Sequence, residues 1–317
     1  LKKRLRFILP MLVLCLLLAS CGRPTLSVSH HQVTPDGLAA VINGKSRQSH
    51  IAYRINNGTT HQQKTVNGQF SITIPSATTA QRVTLKAGGH QTTVTVTRQT
   101  PLVTYQALRE TYNQGLAVSA LSSKDQRVAE GLALQSASVQ SRLSQAQAAI
   151  KKAQKRVKAG DTVARATLNR QLKEAASLKR SVAILGQTKA SLAPAMAKAT
   201  AATKDDQLPA QPTSGLHNLV TTNKTTIRAA LDGDQVTGLA LMVPTSQLKG
   251  QKARHFVTTF SLVAQSVGAN AKNVLKQFQK QANGKNTSQT TTPKLHSNGI
   301  TFSLGYSTST LYVYITK

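Results

Sequence analysis

Between Leu26 and about Thr100 apolar and polar residues alternate in short runs separated by turn residues. Residues 39–42 stand before Asn43-Gly44, residues 51–55 before Asn57-Gly58, and residues 70–74 after Asn67-Gly68. Residues 83–85 precede Gly88-Gly89, and Val94 and Val96 alternate with threonines. Asn-Gly between alternating runs signals a hairpin, because both residues accept the positive φ of a type I′ turn. The spacing predicts six or seven strands in a small sandwich, on the roughly 8–12-residue rhythm of such folds.

The period changes near Ser122. Ser123 with Gln126 reads as a capping box. Val128, Leu132, Val139, Leu143, Ala146, Ile150, Ala153 and Val157 then form one helical stripe. Gly160 suits the C′ position and Asp161 the N-cap of a second helix, striped by Leu168, Leu172, Ala175, Leu178, Val182 and Leu185. Two helices of about 35 residues make a coiled-coil-like antiparallel hairpin, a rod about 50 Å long at 1.5 Å per residue. Pro194 marks the helix end, and residues 205–215, with Pro209 and Pro212, read as a linker.

Beyond it, Ile227, Ala229 and Leu231 alternate up to Asp232-Gly233, and residues 236–243 form a buried strand. Phe256, Phe260, Val263 and Val267 stripe one helix ending at Gly268; Val274, Leu275 and Phe278 mark another, closed by Asn283-Gly284. Two alternating runs, Ile300 to Leu304 and Leu311 to Ile315, complete the order ββ-αα-ββ. That order fits an antiparallel sheet with helices on one face. The fold class is therefore multidomain α+β, with a β-sandwich over 26–105, the hairpin over 106–204, the linker, and an α+β domain over 216–317.

The first twenty residues are of another kind. Lys2, Lys3, Arg4 and Arg6 precede an apolar run from Phe7 to Leu18 and then Leu18-Ala19-Ser20-Cys21. A basic start, a short apolar stretch and small residues at the cut make a secretory signal. A transmembrane helix is the competing reading, but the run is well below the roughly 20 residues a span needs, and Pro10 interrupts it. The segment resembles the signal peptide of bacterial lipoproteins, of the Gram-positive kind, whose lipobox is Leu, two small residues and Cys. The resemblance implies cleavage after Ser20 and a diacylglyceryl thioether on Cys21, the lipobox being Leu18, Ala19 and Ser20. Residues 1–20 are then the signal and 21–25 the lipidated Cys with a short tether. The covalent diacylglycerol is the only non-protein group expected, and it anchors the chain to the outer face of the cytoplasmic membrane without spanning it. The pattern Gly37…Ile42-Asn43-Gly44-Lys45 followed by Val66-Asn67-Gly68-Gln69-Phe70-Ser71-Ile72-Thr73-Ile74-Pro75 resembles immunoglobulin-like modules of bacterial surface lipoproteins. That likeness is architectural and carries no ligand residues.

Composition narrows the chemistry. The only cysteines are Cys15, inside the signal, and Cys21, so no disulfide is available. Aromatics at 4% and no Trp favour several small cores over one large enzyme core. Forty Lys and Arg against ten acids give a net charge of +30, and removing Lys2, Lys3, Arg4 and Arg6 leaves +26. Such a field bears on partners: teichoic-acid phosphates, other envelope polyanions or anionic headgroups. A basic bias shared by a whole proteome is the bland alternative, and the even spread of charge favours it.

The chain has no Gly-x-Ser-x-Gly, no Ser-x-x-Lys with its partner motifs and no phosphate-binding Gly-rich loop followed by Lys. Asp232-Gly233-Asp234 lacks the remaining ligands of a calcium loop and reads as a turn. His30, His31, His50, His61 and His90 show no zinc-ligand spacing. No catalytic residue, metal site or other cofactor is expected. The concentrated charge is Lys151, Lys152, Lys155, Arg156 and Lys158 at the hairpin tip. It suits a polyanion or acidic partner, but the favoured reading is a solvated helix end whose cations complement the macrodipole. Nucleic acid would want aromatics among the cations for base stacking, and the tip has none. The expectation is a non-enzymatic binding or scaffolding lipoprotein, with a protein partner or self-association through the hairpin as further partners. The alternatives are a transporter's solute-binding lipoprotein, for which the repeated βα pattern is missing, and an envelope enzyme with a cryptic site.

Overall fold

The computed structural model describes residues 25–210, 212–283 and 294–317. The chain is multidomain α+β: a β-sandwich, a long antiparallel helical hairpin and a C-terminal α+β domain with an antiparallel sheet. Leu18, Ala19, Ser20 and Cys21 lie outside the described residues.

The sandwich comprises β1 (Leu26–Val28), β2 (Gln32–Val33), β3 (Ala39–Ser46), β4 (His50–Ile55), β5 (Thr60–Lys64), β6 (Gln69–Pro75), β7 (Gln81–Ala87) and β8 (His90–Val96). One sheet runs β1-β3-β6 and the other β2-β8-β7-β4-β5, with β2 parallel to β8. Alternation makes the core. Ala40, Ile42, Phe70, Ile72 and Ile74 face Ile51, Val83, Leu85, Val94 and Val96.

Asn43-Gly44, expected to turn, instead runs through the middle of β3. The reason is steric: a Cβ on Gly44 would lie 2.3 Å from the Phe70 ring and 2.3 Å from the Ser27 carbonyl oxygen. Glycine is there for close approach and not for a turn. Asn67 and Gly68, with φ of 52° and 71°, do turn, but they join β5 of one sheet to β6 of the other.

The C-terminal sheet has β10 (Gly215–Thr221), β11 (Thr226–Asp232), β12 (Gln235–Pro244), β13 (Leu295–Ser297), β14 (Ile300–Tyr306) and β15 (Thr310–Thr316), in the order β10-β11-β12-β15-β14-β13. A short strand, β9 (Val103–Thr104), pairs with the start of β12, and α1 (Tyr105–Ser119) follows it. Tyr105, Leu108, Tyr112 and Leu116 of α1 enter the same core as Leu239, Leu241, Phe260 and Phe302. The helices α4 (Ala253–Ser266) and α5 (Ala271–Asn283) lie on that face too. Phe260 is its centre, with the Phe278 and Phe302 rings 5.4 and 5.7 Å away.

This packing moves two expected boundaries. Residues 106–119 belong to the C-terminal core and not to the hairpin. The start of the expected linker is built into the same domain: Leu208 is buried, its N–H donates to Asn113 Oδ1, and Asn113 Nδ2 donates to its carbonyl. The Tyr105 hydroxyl donates to the Pro209 carbonyl. The hairpin, α2 (Ser123–Lys158) and α3 (Thr162–Ala202), is therefore an insertion within one α+β domain. Pro194 does not end α3, which runs eight residues further to Ala202. Leu192, Ala195, Met196 and Ala199 pack there against Ala117 and Leu121, so burial outweighs the lost backbone bond. The N-cap of α2 is Ser122 rather than Ser123, with its hydroxyl accepting from Asp125 N–H.

The sandwich covers the other face of the C-terminal sheet. Leu38 packs on Ala230 and Ala240, beside Leu216 and Tyr314. Ser76 meets Thr237, and Asp232 accepts from both the N–H and the hydroxyl of Thr78. With helices on one side and the sandwich on the other, β12 is buried nearly throughout, which accounts for its unbroken apolar run.

Candidate binding surface on the helical hairpin

The two long helices meet along a narrow seam. Val139, Leu143, Ala146 and Ile150 of α2 pack with Ala175 and Leu178 of α3, and toward the tip Ala153 and Ala164 are buried. Outside the pair, the contacts of both helices go chiefly to α1 at their base. The tip itself is tightly built. Gly160, at φ 88°, donates to the Val157 carbonyl and Asp161 N–H donates to the Arg156 carbonyl, a Schellman closure of α2. Asp161 then caps α3, its Oδ1 accepting from Ala164 N–H at 3.0 Å. Its carboxyl is held below the ordinary value of 3.8, first by the Ala164 N–H and then by Arg156.

Lys151, Lys152, Lys155, Arg156 and Lys158 all lie on the exposed surface of this end. They are not equivalent. Arg156 donates from Nε and Nη2 to Asp161 Oδ2 and serves to lock the turn. The four lysines have no ion pair; the two ion pairs among the described residues are Arg156–Asp161 and Arg142–Glu174. The antiparallel return adds cations that the sequence cluster did not include. Arg165, Arg170 and Lys173 of α3 are exposed on the same half of the rod. Residues 142–174 thus hold nine Lys and Arg against Asp161 and Glu174, and both acids are already paired. Seven cations are left uncompensated. The signal that could have revealed the added three is the Gly160-Asp161 turn itself, which folds residues just after 161 back beside those just before it.

Nearer the base, a shallow groove of about 270 Å³ runs between the helices, lined by Gln135, Ser138, Val139, Ser181, Ile184 and Leu185. Ile184 is 62% exposed and Leu134 75%.

Elsewhere, two of the histidines of the sandwich have separate partners. His31 Nδ1 lies 3.0 Å from the Thr93 carbonyl, and His61 stacks on Tyr53 with ring centroids 5.1 Å apart. Among the described residues no three His, Cys, Asp or Glu come together as a metal site, and no helix is long and apolar enough to cross a membrane. Asp232-Gly233 turns β11 into β12, with Gly233 at φ 61°. No protein-family model matches the chain, and no curated protein matches it significantly.

Proposed function

We propose that the chain is a membrane-anchored extracytoplasmic lipoprotein acting as a non-enzymatic binding or scaffolding protein, with its helical hairpin engaging an envelope polyanion. The address comes from Leu18-Ala19-Ser20-Cys21. The observation that carries the ligand class is the uncompensated charge on the distal half of the hairpin. Macrodipole complementation accounts for Lys155 and Lys158 at the C-terminal turn of α2. It does not account for Arg165 in the opening turns of α3, where a cation faces the positive end of the helix. Stability of the rod alone gives no reason to gather seven unpaired cations there. A phosphate polymer supplies the missing counter-charge.

The test is binding of purified wall teichoic acid to the full chain across a salt series, with the variant K151Q/K152Q/K155Q/K158Q alongside. Affinity should fall steeply with salt, since exposed charges beyond the Debye length of about 8 Å at physiological ionic strength are screened, and the variant should bind weakly. Salt-independent binding, or a variant that binds like the parent, overturns the reading. For the anchor, Cys21→Ala should release the protein or leave it uncleaved, and a processed form still held on membranes would count against lipidation.

The exposed Ile184 and the groove beside it support a second reading, in which the hairpin base takes a protein partner or a second copy. Sedimentation at rising concentration separates self-association from the polyanion reading.

A further inference from the structure

We infer that the outer face of the three-stranded sheet carries a second binding site, independent of the hairpin, for a phosphorylated polyol. The register builds it. Ser27, Lys45 and Gln69 lie side by side across β1, β3 and β6, and Asn43 lies beside Ser71 in the next row. Ser29 extends that row, its N–H donating to the Asn43 carbonyl. In β3 and β6 the residues at 43, 45, 69 and 71 face outward, while Ile42, Gly44, Phe70 and Ile72 face the core. Gln63, Lys64 and Val66, on the way from β5 to β6, add a wall to this polar surface. The result is an open groove of about 470 Å³, within the roughly 300–1,000 Å³ usual for small-molecule sites.

Its chemistry is specific. Two ammonium groups, Lys45 and Lys64, line the groove, no acid lines it, and neither lysine is in an ion pair. Asn43, Gln63, Gln69, Ser29 and Ser71 add amides and hydroxyls that both donate and accept, as vicinal hydroxyls require. Gly44 and Phe70, whose side-chain positions face the core, complete the lining. One negative group and several hydroxyls match this set. A polyol phosphate offers that combination either as a repeat of a wall polymer or as a lipid headgroup.

The probe is glycerol 3-phosphate, added to the full chain and followed by saturation-transfer NMR and equilibrium dialysis, with glycerol and inorganic phosphate as controls. Glycerol 3-phosphate should bind more tightly than either. Lys45→Gln and Lys64→Gln should each weaken it on the order of tenfold, the worth of one charge-assisted hydrogen bond. Lys86→Gln, on an exposed position of β7 outside the groove, should leave it unchanged. Displacement by poly(glycerol phosphate) or by short-chain phosphatidylglycerol supports the proposal and names the source. Binding no tighter than inorganic phosphate, parent-like binding by both groove variants, or an equal loss in Lys86→Gln overturns it. The hairpin variant K151Q/K152Q/K155Q/K158Q should keep full glycerol 3-phosphate binding, so failure of the hairpin reading and failure of this one are told apart.

Discussion

Thr237 ties the two domains together, and the energetics of that tie are open to measurement. It sits at a bulge in β12, where Ala230 pairs with Gly238 and Leu231 with Val236, leaving Thr237 unmatched. A bulge re-aims a side chain, and here the hydroxyl reaches the sandwich. Thr237 Oγ1 lies 2.8 Å from Ser76 Oγ, 3.2 Å from the Ser76 carbonyl and 3.2 Å from the Ala230 carbonyl. Both residues are buried, Ser76 at 1% exposure and Thr237 at 0%. Thr237→Val keeps the shape but leaves the Ser76 hydroxyl without a side-chain partner, which should cost about 2 kcal/mol. Ser76→Ala leaves Thr237 its two carbonyl acceptors and should cost about 1 kcal/mol. The double variant removes both hydroxyls, so the unmade bond is not counted twice, and its loss should be about 2 kcal/mol rather than about 3. Urea unfolding read by tyrosine fluorescence measures this, because five of the six tyrosines lie between Tyr105 and Tyr314 and there is no Trp. Additivity of the two single losses within about 0.5 kcal/mol would refute a coupled buried pair at the interface.

Four further outcomes follow from the same geometry. Gly44→Ala should lower the melting temperature of the sandwich, overpacking it by at least about 1–3 kcal/mol, and adding Phe70→Leu should not restore it, since the Ser27 carbonyl remains 2.3 Å from the new methyl. Ala153→Leu should pry the hairpin tip apart, seen as faster amide exchange over 150–170 with the base unchanged. Asp161 stabilises the tip through a depressed carboxyl, so its contribution is present above the ordinary value of 3.8 and is lost as pH falls beneath it; tip helicity by circular dichroism should drop in acid, and Asp161→Asn should flatten that dependence. Burial pushes the Tyr105 hydroxyl up to about 12 and Tyr112 higher still, so the stability they lend is full below 10.0 and declines as pH rises past it; a spectrophotometric titration in which all six tyrosines ionise together near 10.0 would contradict their burial.

What the sequence disclosed, and what it hid, divides along local and tertiary lines. The Gly160-Asp161 junction was legible because capping chemistry is decided within five residues, and the strand alternation because each side chain's face depends only on its neighbours. Asn43-Gly44 misled because the same dipeptide serves a turn and a close approach, and only the Phe70 ring beneath it decides between them. Pro194 misled because its cost is local while the packing of Leu192 and Met196 that offsets it comes from α1. The first helix was hidden although Tyr105, Leu108, Tyr112 and Leu116 recur at helical steps, because its partners lie beyond the whole hairpin. The same division holds for the two candidate sites. A run such as Lys151 to Lys158 is visible as a string, yet its return partners Arg165 and Arg170 need the hairpin closed. Lys45 and Lys64 are nineteen residues apart on different sheets and become neighbours of one groove only once the β5–β6 connection crosses the sandwich edge. Charge that contacts bring together says more about a ligand than charge that sequence brings together. Consecutive lysines can reflect composition, whereas two lysines converging from separate strands onto an acid-free polar groove are placed there by the fold.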